Sequence, residues 1–173
     1  ARVRALRLPG IGITEESRRV YPKGKLASHV LGLVGIDSQG LEGVEYTYDK
    51  ELRGVPGRIV IEHDARGREI PHALHTYVPS QSGCSLVLTI DEALQFIAER
   101  ELERGMQLYD ARVGSVIVMD VNTGEILALA NRPDFHPEFA LEDIRPDLWR
   151  NRAISDQYEP GSTFKIVAMA AGL

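Results

Sequence analysis

Cysteine is almost absent from the 173-residue sequence, which contains only Cys84. A single thiol cannot form an internal disulfide, so a small scaffold held together by disulfides is excluded. The same scarcity means that cysteine usage does not reveal the redox compartment.

Long apolar runs are also missing. No apolar stretch approaches the roughly 18 residues that a membrane-spanning helix needs, and no charged segment followed by an apolar stretch opens the chain. A span and a signal peptide are therefore excluded from this sequence. The opening ARVRALRLPG has no initiator Met and reads as the middle of a longer polypeptide, so we expect any membrane anchor to lie upstream.

An excess of basic residues is the third absence. The 20 Lys and Arg residues are outnumbered by 25 Asp and Glu residues, which gives a net charge of -5. A nucleic-acid-binding protein usually carries a basic face, so we expect no nucleic-acid partner. The Arg2, Arg4 and Arg7 cluster is read as a solvated segment. With 43% hydrophobic residues, the chain can fill one ordinary core or two small ones.

The first half of the chain, residues 1–82, has a sequence pattern typical of strands and turns. Short runs rich in β-branched residues are separated by turn signals. The predicted strands are Val30–Val34, Arg58–Glu62 and Thr76–Val78. Within this half, IVIEHDARGREI predicts two strands joined by a turn at Arg66-Gly67.

The texture changes at residues 80–83, and the second half, residues 83–173, begins there. The run SLVLTI at 85–90 has the composition of a strand, and a helix should follow it. Either Thr89 in a Thr-x-x-Glu capping box or Asp91 can cap that helix. Its apolar stripe predicts a packing surface and its charged positions are expected to face water. The stripe is Ile97, Ala98, Leu102, Met106 and Tyr109, and the charged set is Glu99, Arg100, Glu103 and Arg104.

A hairpin is predicted next, with strands over 115–121 and 125–130 and a turn at 122–124. Both runs are apolar at nearly every position, so both faces of this sheet are expected to be covered. Residues 132–158 follow as a Pro-rich connector.

The motif that could carry catalytic chemistry is Ser162-Thr163-Phe164-Lys165, an S-x-x-K arrangement. Three residues of helix place the serine oxygen and the lysine amine on one face within about one turn. A serine hydroxyl becomes a nucleophile when a base takes its proton, and a lysine made less basic by burial can be that base. The bare pattern is weak because about half a match is expected by chance. The alternative makes Ser162 a plain N-cap and Lys165 a solvated helix residue.

The surrounding sequence is more specific than the four residues. EPGSTFK, preceded by NRAISDQY, by VIVMDVNTGEILALANRP and by LTIDEALQFIAERELE, resembles the class B penicillin-binding proteins. The first half resembles the pedestal module of that family through RRVYPKGKLASHVLGLVGIDSQGLEGVEYTYDKELRGVPG. The resemblance implies an α+β fold: a strand-rich pedestal over 1–82, truncated at its N-terminus, and over 83–173 the start of a serine transpeptidase α/β domain.

The resemblance implies a peptidoglycan D,D-transpeptidase that needs no cofactor. Ser162 would attack the penultimate D-alanine of a stem peptide and Lys165 would be the base, although the base is disputed among related serine enzymes. β-Lactams would be trapped on Ser162. A cell-wall glycosyltransferase and other morphogenesis proteins are the implied partners. The implied location is the bacterial cell membrane, through a single-pass anchor, with this region on the extracytoplasmic face.

The family completes its site with S-x-N and K-T-G motifs, and neither follows Lys165 in this sequence. Ser155-Asp156-Gln157 precedes the nucleophile and is interpreted as part of the connector. Because losing partner groups of a site removes most of its rate, we expect residues 1–173 to be inactive alone. A non-catalytic scaffold or a penicillin-sensing module is the alternative, and a β-lactamase fits poorly because it seldom carries such a first module.

Two pedestal motifs match the family. Its R-x-Y-P-x-G corresponds to Arg19, Tyr21, Pro22 and Gly24, and its G-x-x-G-x-E corresponds to Gly40, Gly43 and Glu45. The glycines suit tight turns with close backbone approach. We predict that Arg19 and Glu45 form an ion pair, since a bidentate arginine fixes orientation. An upstream R-G-x-x-x-D-R-x-G motif is missing from the sequence.

Five histidines raise the question of a metal site. His72 and His75 lie three apart, near Asp64 and Glu69, in a segment read as strand and turn. Residues three apart on a strand point to opposite faces, and no Cys pair or H-E-x-x-H helix supports a site. No metal is expected there, nor at the remaining histidines, His29, His63 and His136.

Overall fold

The computed structural model describes residues 10–11, 18–60, 66, 70, 76–142 and 145–172. In chain order its elements are α1 (Ser28–Leu31), β1 (Leu33–Val34), β2 (Gly40–Glu42), α2 (Gly43–Thr47), α3 (Asp49–Arg53), β3 (Arg58–Val60), β4 (Thr76–Val78), α4 (Glu92–Tyr109), β5 (Gly114–Met119), β6 (Ile126–Arg132), α5 (Pro146–Trp149), α6 (Arg152–Ser155), a 3-10 turn (Gly161–Phe164) and α7 (Lys165–Ala170). None of the described helices is long and apolar enough to cross a membrane.

The chain forms two compact units, and the segments of the two units alternate along the sequence. The first unit contains residues 1–25, 31–87 and 136–143, and the second contains 26–30, 88–135 and 144–173. Each unit therefore takes a short segment from the opposite half of the sequence. The division into modules at residues 82 and 83 stays a prediction.

The first unit mixes short antiparallel strand pairs with short helices. β1 pairs with β2, and β3 pairs with β4 in the register Arg58 with Val78 and Val60 with Thr76. The α+β class is confirmed, whereas a strand over Val30–Val34 is wrong, because α1 occupies its start and only Leu33–Val34 is extended. The helices α2 and α3 were not predicted, since each has only five residues and no measurable periodicity.

The predicted hairpin within IVIEHDARGREI lies mostly outside the described residues. The residues at 61–65 and 67–69 are outside them, and Arg66 is in a turn. The first predicted strand exists over Arg58–Val60, and its partner is β4.

Two glycines explain how β1, β2 and α2 come so close together. Gly32 has φ of +83°, and a Cβ there would lie 1.7 Å from the carbonyl oxygen of Glu42. At Gly40, a Cβ would lie 1.9 Å from the carbonyl oxygen of Glu45. Any side chain would separate the backbones, so the prediction that Gly40 permits a close approach is confirmed.

The second unit is built on the long helix α4. The Asp91 carboxylate accepts a hydrogen bond from Leu94 N at 2.9 Å, so Asp91 is the N-cap. The Thr89 hydroxyl instead donates to the carbonyl of Ile126 at 2.6 Å, so the Thr89 capping box is wrong. Because an N-cap oxygen satisfies an amide that has no helical partner, Asp91 fixes where the helix begins.

The predicted strand over 85–90 is wrong. Its residues alternate between more and less exposed positions, as an extended chain would, but they pair with no strand in the described ranges. Val87 is 97% exposed. The composition favours an extended conformation, but a hydrogen-bonded ladder needs a neighbouring strand, and none of the described residues supplies one.

The predicted hairpin is confirmed as β5 and β6, with Gly114 opposite Arg132 and Val118 opposite Ala128. Its inner face and α4 form the core, whose members are Ala98, Leu102, Val116, Val118, Ala128 and Ala130. The outer face of β5 is open in the described part of the chain, where Ile117 is 48% and Met119 is 53% exposed. The prediction that both faces are covered is therefore wrong within that part.

A buried polar network locks α4 to β6. Gln95 is fully buried; its amide nitrogen donates to Leu129 O at 2.9 Å and its amide oxygen accepts from Leu129 N at 2.8 Å. Glu99 is also buried and accepts from Gln95 at 2.7 Å and from Ala27 N at 2.8 Å. The expectation that Glu99 faces water is wrong, because these donors and the nearby Arg132 replace its hydration.

Candidate active site

Ser162 lies in the 3-10 turn that leads into α7. Gly161 opens this turn with φ of +54°, a backbone conformation that glycine adopts without steric cost. The Thr163 hydroxyl donates to the carbonyl of Pro160 at 2.5 Å, and Thr163 N donates to the same oxygen at 3.2 Å. These bonds close the turn that carries Ser162.

Lys165 is the C-cap of this turn and the first residue of α7. Its three-residue spacing from Ser162 is the spacing at which side chains eclipse in a 3-10 helix. Pro160 is the N-cap and no side chain caps the turn, so the part of the alternative that made Ser162 an N-cap is wrong. The other part, a solvated helical Lys165, agrees with the structure. Every described residue from 157 to 172 is exposed, Lys165 included. The burial that an amine base requires is therefore not supplied by the described residues.

The connector before Ser162 is a locally bonded structure. The Asp156 carboxylate accepts from Arg150 and, at 3.2 Å, from Arg152. The Ser155 hydroxyl donates to the carbonyl of Asn151 at 2.7 Å. Ser155 and Asp156 therefore use their polar groups within the connector, which agrees with interpreting them as part of it.

The two pedestal motifs meet at an ion pair. Arg19 donates from Nε and Nη2 to the two carboxylate oxygens of Glu45 at 2.6 and 2.7 Å. Glu45 is only 8% exposed. The predicted Arg19–Glu45 pair is confirmed, and it is bidentate. The hydrogen bond to Glu45 raises the pKa of the Arg19 guanidinium, which stays charged.

The other motif residues shape the surroundings of this pair. Tyr21 is buried, and its burial, followed by the charge of Glu45, raises the pKa of its phenol. Gly24, at φ of +62°, closes the turn after Pro22 by donating from its amide to Tyr21 O at 2.9 Å. Gly43 opens α2 with φ of +62°.

Sequence reasoning missed Asp49 beside this cluster. Its carboxylate accepts from Gly40 N at 2.7 Å and from Arg53 at 3.0 Å. The bond from Gly40 lowers the pKa of Asp49. The only available signal was the i, i+4 spacing of Asp49 and Arg53, which also fits an ordinary exposed helix pair.

The described histidines have structural contacts. His29 Nε2 lies 2.9 Å from the carbonyl of Leu148, and its ring meets Phe135 edge-on at 5.2 Å. The ring of His136 packs against that of Phe139 in a tilted arrangement, with the centroids 4.6 Å apart. Within the described ranges no group of three His, Cys, Asp or Glu residues could hold a metal. His63, His72 and His75 lie outside those ranges.

An apolar groove of about 470 Å³ runs between α4 and β5. Leu94, Ile97, Met106 and Tyr109 contribute to its lining, and neither Ser162 nor Lys165 does. The apolar stripe predicted for α4 therefore lines an open groove as well as a closed core.

Comparison with known protein families gives two matches. Residues 1–88 match the family described as "Penicillin-binding Protein dimerisation domain". Residues 114–173 match "Penicillin binding protein transpeptidase domain". The matches follow one another along the chain without overlap.

Two curated relatives match nearly the whole chain. The peptidoglycan D,D-transpeptidase FtsI of Escherichia coli (strain K12) is 45% identical over 170 residues, which is 98% of this chain and 28% of the relative. Stage V sporulation protein D of Bacillus subtilis (strain 168) is 41% identical over 172 residues, 99% of this chain and 26% of the relative. The chain thus spans little more than a quarter of their length.

Solved structures of a peptidoglycan synthetase and a penicillin-binding protein also align with most of this chain. A peptidoglycan synthetase from Bifidobacterium adolescentis aligns with a TM-score of 0.74 and 32% identity, over 88% of this chain and 27% of that one. Penicillin-binding protein 3 from Mycobacterium tuberculosis, complexed with aztreonam, aligns with a TM-score of 0.70 and 32% identity, over 89% and 31%.

Proposed function

The chain belongs to the class B penicillin-binding proteins, and from this membership we propose that the full-length protein is a serine D,D-transpeptidase that cross-links peptidoglycan. The observation that best supports the proposal is the closed 3-10 turn that contains Ser162 and ends at Lys165, since a three-residue spacing there favours one face for both side chains. This turn lies in the sequence that matches the transpeptidase family. The parts of the protein outside residues 1–173 complete the site in this proposal.

The reaction proceeds through an acyl-enzyme. Ser162 Oγ attacks the carbonyl of the penultimate D-alanine, and its proton passes to Lys165 Nζ. The bond to the terminal D-alanine breaks, and Lys165 gives the proton to the departing amine. An amine of a neighbouring stem peptide then attacks the ester. Its nitrogen bonds to the acyl carbon while the bond to Ser162 breaks, and its proton returns to the serine.

The proposal extends to inhibitors, location and partners. Two of the similar solved structures are described as complexes with aztreonam and ampicillin. We therefore propose that β-lactams acylate Ser162. The proposal also places the protein in the bacterial cell membrane, with these residues on the extracytoplasmic side, next to a glycosyltransferase and other morphogenesis proteins.

Release of D-alanine tests the activity. Full-length protein is incubated with a synthetic stem peptide that ends in D-alanyl-D-alanine, and free D-alanine is measured with time. Wild type should release D-alanine, whereas Ser162→Ala and Lys165→Met should each lose at least about 1,000-fold in rate. A folded wild-type protein that releases none would overturn the proposal and favour the non-catalytic scaffold.

A further inference from the structure

Residues 150–156, termed here the connector knot, are held together by their own side chains. Arg150 and Arg152 both reach the Asp156 carboxylate. Arg150 also donates to the Ser155 hydroxyl at 2.8 Å. The backbone carbonyl of Asn151 accepts hydrogen bonds from Ile154 N, from Ser155 N and from the Ser155 hydroxyl. These bonds form the first turn of α6. Together these contacts connect the two ends of the segment.

One hydrogen bond joins the connector knot to the β5–β6 hairpin among the described residues. The amide nitrogen of Asn131 donates to the side-chain oxygen of Asn151 at 2.8 Å. Asn131 lies on β6 and is 2% exposed. A buried amide that loses its partner pays a desolvation penalty, so this bond strongly favours one placement of the knot.

The amide of Asn131 is itself fixed from the opposite strand. Ser115 pairs with Asn131 in the register of β5 and β6, and its hydroxyl donates to the Asn131 amide oxygen at 2.6 Å. That bond leaves the amide nitrogen directed at Asn151. Ser115, Asn131 and Asn151 therefore form a continuous polar chain from the sheet to the knot.

We propose that Asn131 and Asn151 are positioning residues for the nucleophile, an inference that rests on the proposed function. Ser162 follows the end of the knot at Asp156 by six residues. A chain of that length reaches at most about 20 Å, so the placement of the knot limits where the serine can lie. Because catalytic rates depend on where the nucleophile is held, loss of the bond that fixes the knot should lower the rate of acylation.

The test compares Asn151→Ala with Asn151→Asp in the full-length protein. Asn151 makes no side-chain cap for α6, so truncation removes the bond to Asn131 without removing a cap. Asp keeps an oxygen that can accept from Asn131. We expect Asn151→Ala to lower the rate constant of acylation by saturating fluorescent penicillin about 10-fold, and Asn151→Asp to restore it to within about threefold of wild type.

Control variants separate this inference from the proposed function. Gln157→Ala changes an exposed residue between the knot and Ser162 and should acylate like wild type. Ser162→Ala should not be labelled by fluorescent penicillin. If this variant is labelled, or if the wild type is not, the result counts against the proposed function and not against the inference about Asn151. The inference is overturned if wild type labels and Asn151→Ala acylates at the same rate, or if Asn151→Asp is as slow as Asn151→Ala.

Ser115→Ala keeps the test decisive if Asn151→Ala does not fold. Ser115 is exposed, so loss of its hydroxyl should leave the fold intact while it frees the Asn131 amide. We expect a loss of about threefold in the acylation rate constant at unchanged affinity for penicillin. An unchanged rate constant in this variant would contradict the proposal.

Discussion

Glu45 is the residue that ties the pedestal motifs together, since an almost buried carboxylate needs strong compensation for its lost hydration. Arg19 provides it with two parallel hydrogen bonds. A bidentate pair of this kind fixes orientation as well as charge. The pair therefore sets how the segment around residue 19 joins α2.

Glu45→Ala should lower the free energy of unfolding of the full-length protein by about 2 kcal/mol, because it removes charge-assisted hydrogen bonds from a partly buried site. Arg18→Ala is the matched control. Its pair with Glu138 leaves the Arg18 side chain 68% exposed, and its loss should cost less than about 1 kcal/mol. Urea unfolding measures both, and equal losses in the two variants would contradict this account of the pair.

The sequence predicted some of these residues and not others. Arg19 and Glu45 could be paired because charged residues stood inside turn-rich motifs. The burial of Glu99 could not be predicted, because a charged residue at that position of the helical pattern is expected to face water. Its partners Ala27 and Gln95 become apparent only in the folded structure. Buried polar networks depend on tertiary contacts that local patterns do not encode.

At the scale of elements, the long and regular ones were predictable. α4 and the β5–β6 hairpin follow from strong periodicity and a clear turn. The short helices α2 and α3 were missed, and the run at 85–90 was wrongly predicted as a strand, because their conformation depends on neighbours rather than on composition. For the site, the sequence placed Ser162 and Lys165 one turn apart, but it could not reveal the polar chain through Asn131.

His29 connects α1 to α5, and its burial lowers the pKa of its imidazole below the ordinary value. The carbonyl of Leu148 and the carboxylates of Asp134 and Glu99 oppose this shift, whereas Arg132 adds to it. The neutral ring is thus the form that suits the folded state. Protonation of the ring should therefore weaken the contact between α1 and α5.

Stability should therefore depend on pH through His29. Below about pH 6.5 the unfolded chain binds a proton at His29 that the folded chain still excludes. The free energy of unfolding therefore decreases as the pH is lowered, until the pH passes the lowered pKa of His29 in the folded state. Well above about pH 6.5 His29 is neutral in both states, so it does not make stability depend on pH. His29→Gln should reduce the difference in melting temperature between pH 7.5 and pH 5.5, and an identical difference in wild type and variant would argue against this role.

At the scale of the whole molecule, the second unit leaves apolar surface open. The outer face of β5, the groove beside α4 and the turn that bears Ser162 are all exposed in the described part of the chain. The chain also spans only 28% of its relative from Escherichia coli. A site in this state lacks the enclosure that makes electrostatic catalysis effective.

Residues 1–173 produced alone should consequently not react with fluorescent penicillin, while full-length protein should. The sequence contains neither S-x-N nor K-T-G after Lys165, and Lys165 is solvent-exposed. Circular dichroism must first show that the shorter chain is folded. Stoichiometric labelling of the folded shorter chain would refute this prediction.

The most direct measurement is the location of the penicillin adduct in the full-length protein by peptide mass mapping. The account predicts one adduct per chain, on the Ser162 hydroxyl, and none in Ser162→Ala. An adduct on any other residue, or one that persists after Ser162→Ala, would contradict it.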